Sequence, residues 1–394
     1  MYNFVYSIPT KIYFGKGQIS HLKDALAEFG KTVLLVYGGG SIRKNGLYDE
    51  AARQCREAGI KLVECGGIEP NPRIESVRRG VELCRTGGVE VVLAIGGGSV
   101  IDAAKVIAAS ANYPGDPWDI VLDTKKVRGV LPIVTVLTLS ATGSEMDTFA
   151  VISDLGLKEK LGCGHPDMRP RISICDPEYT ASVSAYQTTT GTADMMSHIF
   201  EAYFTPEKDA YMQNRMAEGL LRTCIRYGTA AIREPENYEA RANLMWTGSW
   251  AINGFLEMGK GVTWSVHPME HELSAYYDIT HGVGLAILTP HWMRAVLSRD
   301  TADKFVEFAK NVWDIQAAAP GEEATEEAKF AAAEKAIRAT ADYFKAMNLP
   351  ATLREVGIDE KYFDVMSQKA AQKMKGAYVD LDAAMVRNIF EAAL

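Results

Sequence analysis

The sequence predicts two domains, an α/β domain built on a parallel sheet followed by an all-helical domain, and three observations carry this. Short β-branched runs alternate with amphipathic stretches through the first half of the chain, and strand signals nearly vanish after about residue 182. The 394 residues also exceed the roughly 250 to 300 at which one core gives way to two. The boundary is placed so that the domains are 1–182 and 183–394.

In order along the chain, VYSIPTKIYFGKG has strand character broken by Pro9 and reads as an edge strand or a small antiparallel piece. VLLVY at 33–37 reads as a strand, LYDEAARQCREAG at 47–59 as a helix ended by Gly59, and IKLVEC as a strand again. RIESVRRGVELCRTGG returns to helix, VEVVLAIGGG to strand and 99–111 to helix, with further strands at 131–138 and 171–176. Such alternation buries a parallel sheet between helical layers. Residues 187–203, 208–233, 237–257 and 262–276 are helix-compatible between Gly and Pro breaks. The Ala-rich stretch 323–347 puts Phe330, Ile337, Ala341 and Phe344 on one stripe until Asn348-Leu349-Pro350 stops it.

Composition narrows the function classes. A formal net charge of −8 with no long Lys/Arg block argues against a nucleic-acid or anionic-membrane partner. Six cysteines without a CxxC pair read as reduced thiols, and Cys163 near His165 as structural. The N-terminal segment does not read as a signal peptide or membrane anchor, which leaves the cytoplasm as the default.

Two glycine clusters follow apolar strands: Gly38, Gly39, Gly40 and Ser41 after Tyr37, and Gly96, Gly97, Gly98 and Ser99 after Ile95. Without Cβ atoms the chain approaches a pyrophosphate closely, and the first amides of a following helix donate to its oxygens. The second cluster is the stronger candidate because a helix follows directly; the alternative is a tight turn without a ligand. The spacing is not GxGxxG, and no GxxxxGK[ST] occurs. Asp102 either caps that helix or receives a ribose hydroxyl, with capping favoured on its own. Thr138, Thr142 and Ser144 follow a strand and can line a ribose or nicotinamide; Lys160 can reach a phosphate, although taken alone it reads as an exposed lysine.

Asp194 and His198 stand four apart, on one face if the segment is helical. HPMEH at 267–271 and His281 add three imidazoles. One carboxylate and three neutral imidazoles suit a divalent ion that stabilises an alkoxide. Which histidine is not a ligand stays open at this point: i,i+4 spacing favours the pair His267 and His271, while His281 must return through 274–280. Because Glu270 precedes His271, the segment is not HExxH, and a zincin protease is a poor reading.

KIYFGKG, YGGGSI, EPNPR, AIGGGSVIDAAK, LSATGSEM, ISICDPEYT, GTADMMSHIFEAYF, HPMEHELSAYYDITHG and NLPATLREVGI, in that order, span nearly the whole chain. Together they resemble the iron-containing alcohol dehydrogenase family, in particular its NADPH-dependent butanol dehydrogenase branch. The resemblance implies a dinucleotide-binding α/β domain followed by a helical metal-binding and catalytic domain. It implies Asp194, His198, His267 and His281 as metal ligands, with His271 beside nicotinamide and substrate. Gly38, Gly39, Ser41, Gly97, Gly98, Ser99, Asp102, Thr138, Thr142 and Lys160 map to cofactor contacts. The implied reaction is hydride exchange between NADP(H) and a small aliphatic alcohol or aldehyde, with iron(II) as metal and zinc as the alternative; a homodimer is the expected assembly. NADP(H) is favoured because the turn after the first core strand lacks an acid, while Ser41, Arg43 and Lys44 can receive a 2′-phosphate. The rival readings are an NAD-linked glycerol or diol dehydrogenase and a metal-dependent nonredox lyase. Phe149, Trp246, Trp250, Phe255 and Trp264 can line an apolar pocket, with helix packing the plainer role for most.

Overall fold

A computed structural model describes all 394 residues. In chain order the elements are β1 (Lys11–Phe14), α1 (Leu22–Ala27), β2 (Thr32–Tyr37), α2 (Ser41–Lys44), α3 (Leu47–Glu57), β3 (Lys61–Cys65), α4 (Ile74–Gly87), β4 (Val91–Gly96), α5 (Gly98–Ser110), α6 (Pro117–Leu122) and β5 (Ile133–Leu137). A hairpin, β6 (Phe149–Asp154) and β7 (Glu159–Gly164), precedes β8 (Ile172–Cys175). Helices follow: α7 (Ala185–Tyr203), α8 (Tyr211–Arg233), α9 (Tyr238–Ile252), α10 (Val266–Tyr277), α11 (His281–Val296), α12 (Ala302–Trp313), α13 (Glu326–Ala346), α14 (Phe363–Gln372) and α15 (Ala383–Ala392).

The main sheet has six parallel strands in the order β1-β8-β5-β4-β2-β3. Its two faces are covered separately. Val77, Val81, Ile101 and Ile107 of α4 and α5 pack on one side with Leu34, Val36 and Val92. On the other, Leu22, Leu26, Ala51 and Cys55 of α1 and α3 meet Val33, Leu35, Val91 and Leu93. Burial on both faces explains why the strands read as continuous apolar runs: all six residues of β4 are buried.

β1 holds the expected edge position, but it pairs in parallel with β8, Lys11 opposite Ile172 and Phe14 opposite Cys175, so the antiparallel alternative is not realised. The β6–β7 hairpin lies outside the main sheet, in an antiparallel register that puts Ser153 opposite Lys160. Its two short runs carry too little alternation to stand out in the sequence. On α13 the buried seam runs through Ala333, Ala336, Ile337, Thr340 and Phe344, with Phe330 and Ala341 only flanking it.

The chain forms two compact units: Ser7–Thr188 with Glu234–Asn253, and Met1–Tyr6 with Thr189–Arg233 and Gly254–Leu394. This differs from a single cut at 182, because α9 packs within the sheet-bearing unit. Arg241 Nη1 on α9 donates to Thr188 Oγ1 (2.9 Å), and Ser249 Oγ donates to the Glu145 carboxylate. In the other unit, Tyr2 N donates to Gly259 O (2.9 Å), which holds the N-terminal residues.

The loop after β5 is fitted tightly against α9. Gly143 has φ +64°, and a Cβ there would lie 2.5 Å from the Gly248 carbonyl oxygen. Gly143→Ala therefore combines backbone strain with a clash against main chain, and a loss of about 1–3 kcal/mol is expected in urea unfolding.

Candidate metal and dinucleotide sites

α7 is the element on which the histidine site is built. Ser184 Oγ accepts from Gln187 N (3.2 Å) at its start, and every residue from Thr188 to Thr205 is buried. Asp194 and His198 sit one turn apart on this helix, 3% and 5% exposed. His267 is in the first turn of α10 and His281 is the first residue of α11.

The Nε2 atoms of His198, His281 and His267 lie 3.5, 3.6 and 3.9 Å from one carboxylate oxygen, Asp194 Oδ1. Donors about 2.1 Å from one tetrahedral ion are about 3.4 Å from each other, so these separations match a shared cation. Donor atoms of Asp194, His267 and His281 all fall within 4.8 Å of one another. The His198 ring stacks on that of His267 (4.8 Å, 14°) and supplies the shortest approach to Asp194. Asp194 Oδ1 and His267 Nε2 are buried without a hydrogen-bond partner, an arrangement that a bound cation satisfies. Burial pushes the His198 imidazole down to about 3 despite Asp194, which keeps the ring neutral, the form a metal requires. The residues present thus fit a divalent metal.

Two of the three rings, His267 and His281, are oriented by carboxylates that sequence reasoning missed. Glu201 Oε1 lies 3.1 Å from His267 Nδ1, and the Glu201 carboxylate also accepts from the amides of Ser265 (2.7 Å), Val266 (2.8 Å) and His267 (3.0 Å). From α7 it caps the start of α10 and aims the His267 ring. Glu270 Oε2 contacts His281 Nδ1. Spacing held the signals: Glu201 follows Asp194 and His198 by seven and three residues, and Glu270 follows His267 by three, each on the ligand's own helix face.

His271 is placed beside the cage, its ring centroid 5.6 Å from His281 and 6.3 Å from His267. It is not among the three nitrogens that face Asp194, and with Glu270 and His281 it forms a neighbouring donor group. Of the five aromatics considered for a pocket, Trp264 packs on His267 (4.4 Å) and His198 (5.5 Å). Phe149 and Trp246 are 57% and 40% exposed, Trp250 meets Trp246, and Phe255 meets Tyr6.

In the sheet-bearing unit, strand order reverses between β2 and β4, which pair with Tyr37 opposite Ile95. Both glycine turns leave the sheet there, at the crevice where open α/β sheets take ligands. Gly40 has φ +102° and needs to be glycine. The second cluster also serves packing: Cβ atoms on Gly96 and Gly97 would press on Val100 (2.6 Å) and Leu139 (3.0 Å), and one on Gly98 would overlap Thr142. Ser41 and Gly39 are exposed, whereas Ser99, Thr138 and Thr142 are half-buried around α5's start.

Asp102 does not cap α5, whose N-cap is Gly97. Its carboxylate accepts from Ser144 Oγ (2.6 Å) and Val151 N (2.9 Å), so it pins the loop between β5 and β6. Lys105 Nζ donates to Asp147 and to Phe149 O (2.7 Å) in the same buried network. Lys160 is 4% exposed, contrary to the surface lysine that its neighbours suggest, because it lies on β7. Arg43 is engaged as well: Nη2 donates to Glu64 Oε2 (2.7 Å) and Tyr37 OH (2.8 Å), and the guanidinium lies over Tyr48 (3.7 Å). All six cysteines are free and buried, and burial raises the Cys163 thiol to about 12. No helix is long and apolar enough to cross a membrane.

Two family patterns match successive parts of the chain. The pattern described as "Iron-containing alcohol dehydrogenase" matches residues 9–177, and that of the "Fe-containing alcohol dehydrogenase family, C-terminal" matches 188–394. The chain is 54% identical to NADH-dependent butanol dehydrogenase B of Clostridium acetobutylicum, covering all of both proteins. It is 37% identical to the NADPH-dependent aldehyde reductase YqhD of Escherichia coli, again over the whole of both. The crystal structure of NADH-dependent butanol dehydrogenase A from Thermotoga maritima superposes with a TM-score of 0.91 at 39% identity, covering 100% of this chain and 99% of that one. With both halves matched and the fold shared end to end, the chain belongs to the iron-containing alcohol dehydrogenase family.

Proposed function

We propose that the protein interconverts small aliphatic aldehydes and alcohols, with butanal and butan-1-ol as the reference pair, using a nicotinamide dinucleotide as hydride carrier. The observation that carries this reading is the convergence of three imidazole Nε2 atoms on the orphaned Asp194 Oδ1. Asp194, His198, His267 and His281 would hold a divalent metal, iron(II) as the first reading and zinc as the alternative. When bound, that ion supplies Lewis-acid polarisation of the carbonyl and neutralises charge that builds on its oxygen.

The chain's own residues do the rest. Glu201 and Glu270 hold two ring tautomers with Nε2 lone pairs facing Asp194, and Trp264 shields the stacked pair His198 and His267 from water. His271, outside the ligand set, is the candidate for hydrogen bonding to substrate or relaying its proton. Gly38, Gly39, Ser41, Gly97, Gly98, Ser99, Thr138, Thr142 and Lys160 are the proposed cofactor surface, with Asp102 holding its loop.

NADP(H) rests on Ser41 and Lys44 beside a turn without an acid of its own. The pairing of Arg43 with Glu64, on the adjacent strand, removes the third donor and favours NAD(H) as the second reading. A homodimer is proposed, in keeping with β1 at the sheet edge and the exposed contact of Phe14 with Trp246. The cytoplasm is the proposed location, in keeping with six unpaired thiols.

The test follows NADPH and NADH at 340 nm with butanal, using protein stripped of metal and reloaded with iron(II) or zinc. Metal-dependent oxidation of one cofactor is expected. Faster turnover of glycerol or short diols would move the assignment to a polyol dehydrogenase, and no redox turnover by loaded protein would leave the nonredox lyase. His267→Ala is expected to lose both metal and turnover. His271→Ala should retain most of the metal while changing turnover or its pH profile; metal loss there, with retention in His267→Ala, would return His271 to the ligand set.

A further inference from the structure

We infer that Glu270 is a positioning residue for the metal centre, fixing the His281 ring and adding a buried negative charge that tightens the hold on the cation; the inference rests on the metal reading above. His281 is the ligand most in need of such help. It is the first residue of α11, follows a turn with exposed Asp278 and Thr280, and is 23% exposed at its side chain, against 3–5% for the side chains of the other three.

Glu270 is fully buried on α10, three residues beyond His267, and reaches across to α11. One oxygen meets His281 Nδ1 and the other accepts from Ser274 Oγ. An ionised carboxylate is an acceptor only, so it keeps the proton on Nδ1 and leaves the Nε2 lone pair facing Asp194. The fold makes room for this side chain. A Cβ on Gly284 would lie 2.8 Å from Glu270 Cγ, and one on Gly282 would overlap the Thr190 carbonyl of α7, so α11 approaches both only because these positions are glycine. Glu270 thereby ties together two helices that each carry one ligand.

Charge points the same way. Asp194, Glu201 and Glu270 place three carboxylates around three imidazoles in a buried site, more than neutral rings balance. A divalent cation relieves that excess, and each buried carboxylate strengthens its retention.

The experiment compares the full-length wild type with Glu270→Gln, stripped and titrated with cobalt(II) and zinc(II). Glu270→Gln keeps the shape but loses the charge, and its amide can donate to Nδ1 and shift the ring to the wrong tautomer. The dissociation constant should rise about 10- to 100-fold, with a shifted cobalt(II) visible spectrum. The metal-free variant should unfold no earlier than the metal-free wild type, as a purely structural role would not allow. Glu272→Gln, whose carboxylate is 2.9 Å from Lys373, is the control and should leave metal affinity unchanged. Should Glu270→Gln fail to fold, Ser274→Ala is expected to weaken metal binding in the same sense by a smaller factor. Unchanged affinity and spectrum in the folded variants would overturn the role of Glu270 alone. A wild type that takes up no metal would overturn the metal reading and this inference together.

Discussion

Buried Asp194 Oδ1 faces three imidazole nitrogens, and that contact constrains everything around it. A buried carboxylate oxygen without a donor costs several kcal/mol by itself, roughly 1–3 or more for each unsatisfied polar group. The cost is tolerable where a cation takes the donor's place. α7 must then be buried from Thr188 onward, α10 must begin where Glu201 can cap it, and α11 must start near enough to α7 that Gly282 admits no side chain.

The proposed nucleotide surface shows a different economy, because its residues also serve packing. Glycines 96 to 98 are required by Val100, Leu139 and Thr142 whether or not a phosphate is present. Asp102, Lys105 and Asp147 form a buried polar network that holds the loop carrying Thr138 and Thr142. Such a network rigidifies when every member is paired, which suits the proposed cofactor surface. The Arg43–Glu64 pair shows why charge near a turn is a weak guide to cofactor choice: the neighbouring strand, distant in sequence, decides whether the cation is available.

Much of the fold was legible because its signals are local. Continuous apolar runs marked β2, β4 and β5, and their parallel pairing followed from the helices between them. Asp194 and His198 declared themselves by i,i+4 spacing, which the helix preserves. The β6–β7 hairpin was not legible, and with it went the burial of Lys160, since a six-residue run beside Gly156 and Lys158 looks like a loop until its partner is present.

By itself the sequence determined the strand and helix alternation of the first half, the two glycine turns and the set of metal-ligand candidates, since these depend on residue type and spacing. Only the tertiary structure decided which histidines face one oxygen, that α9 packs with the sheet, and that Glu201 and Glu270 meet the Nδ1 atoms of His267 and His281. The spacing of His267 and His271 would equally have permitted them to ligate as a pair. What brings His281 rather than His271 to Asp194 is the turn at Asp278 with its positive φ, which reverses the chain and delivers a residue fourteen positions from His267 to the same carboxylate oxygen.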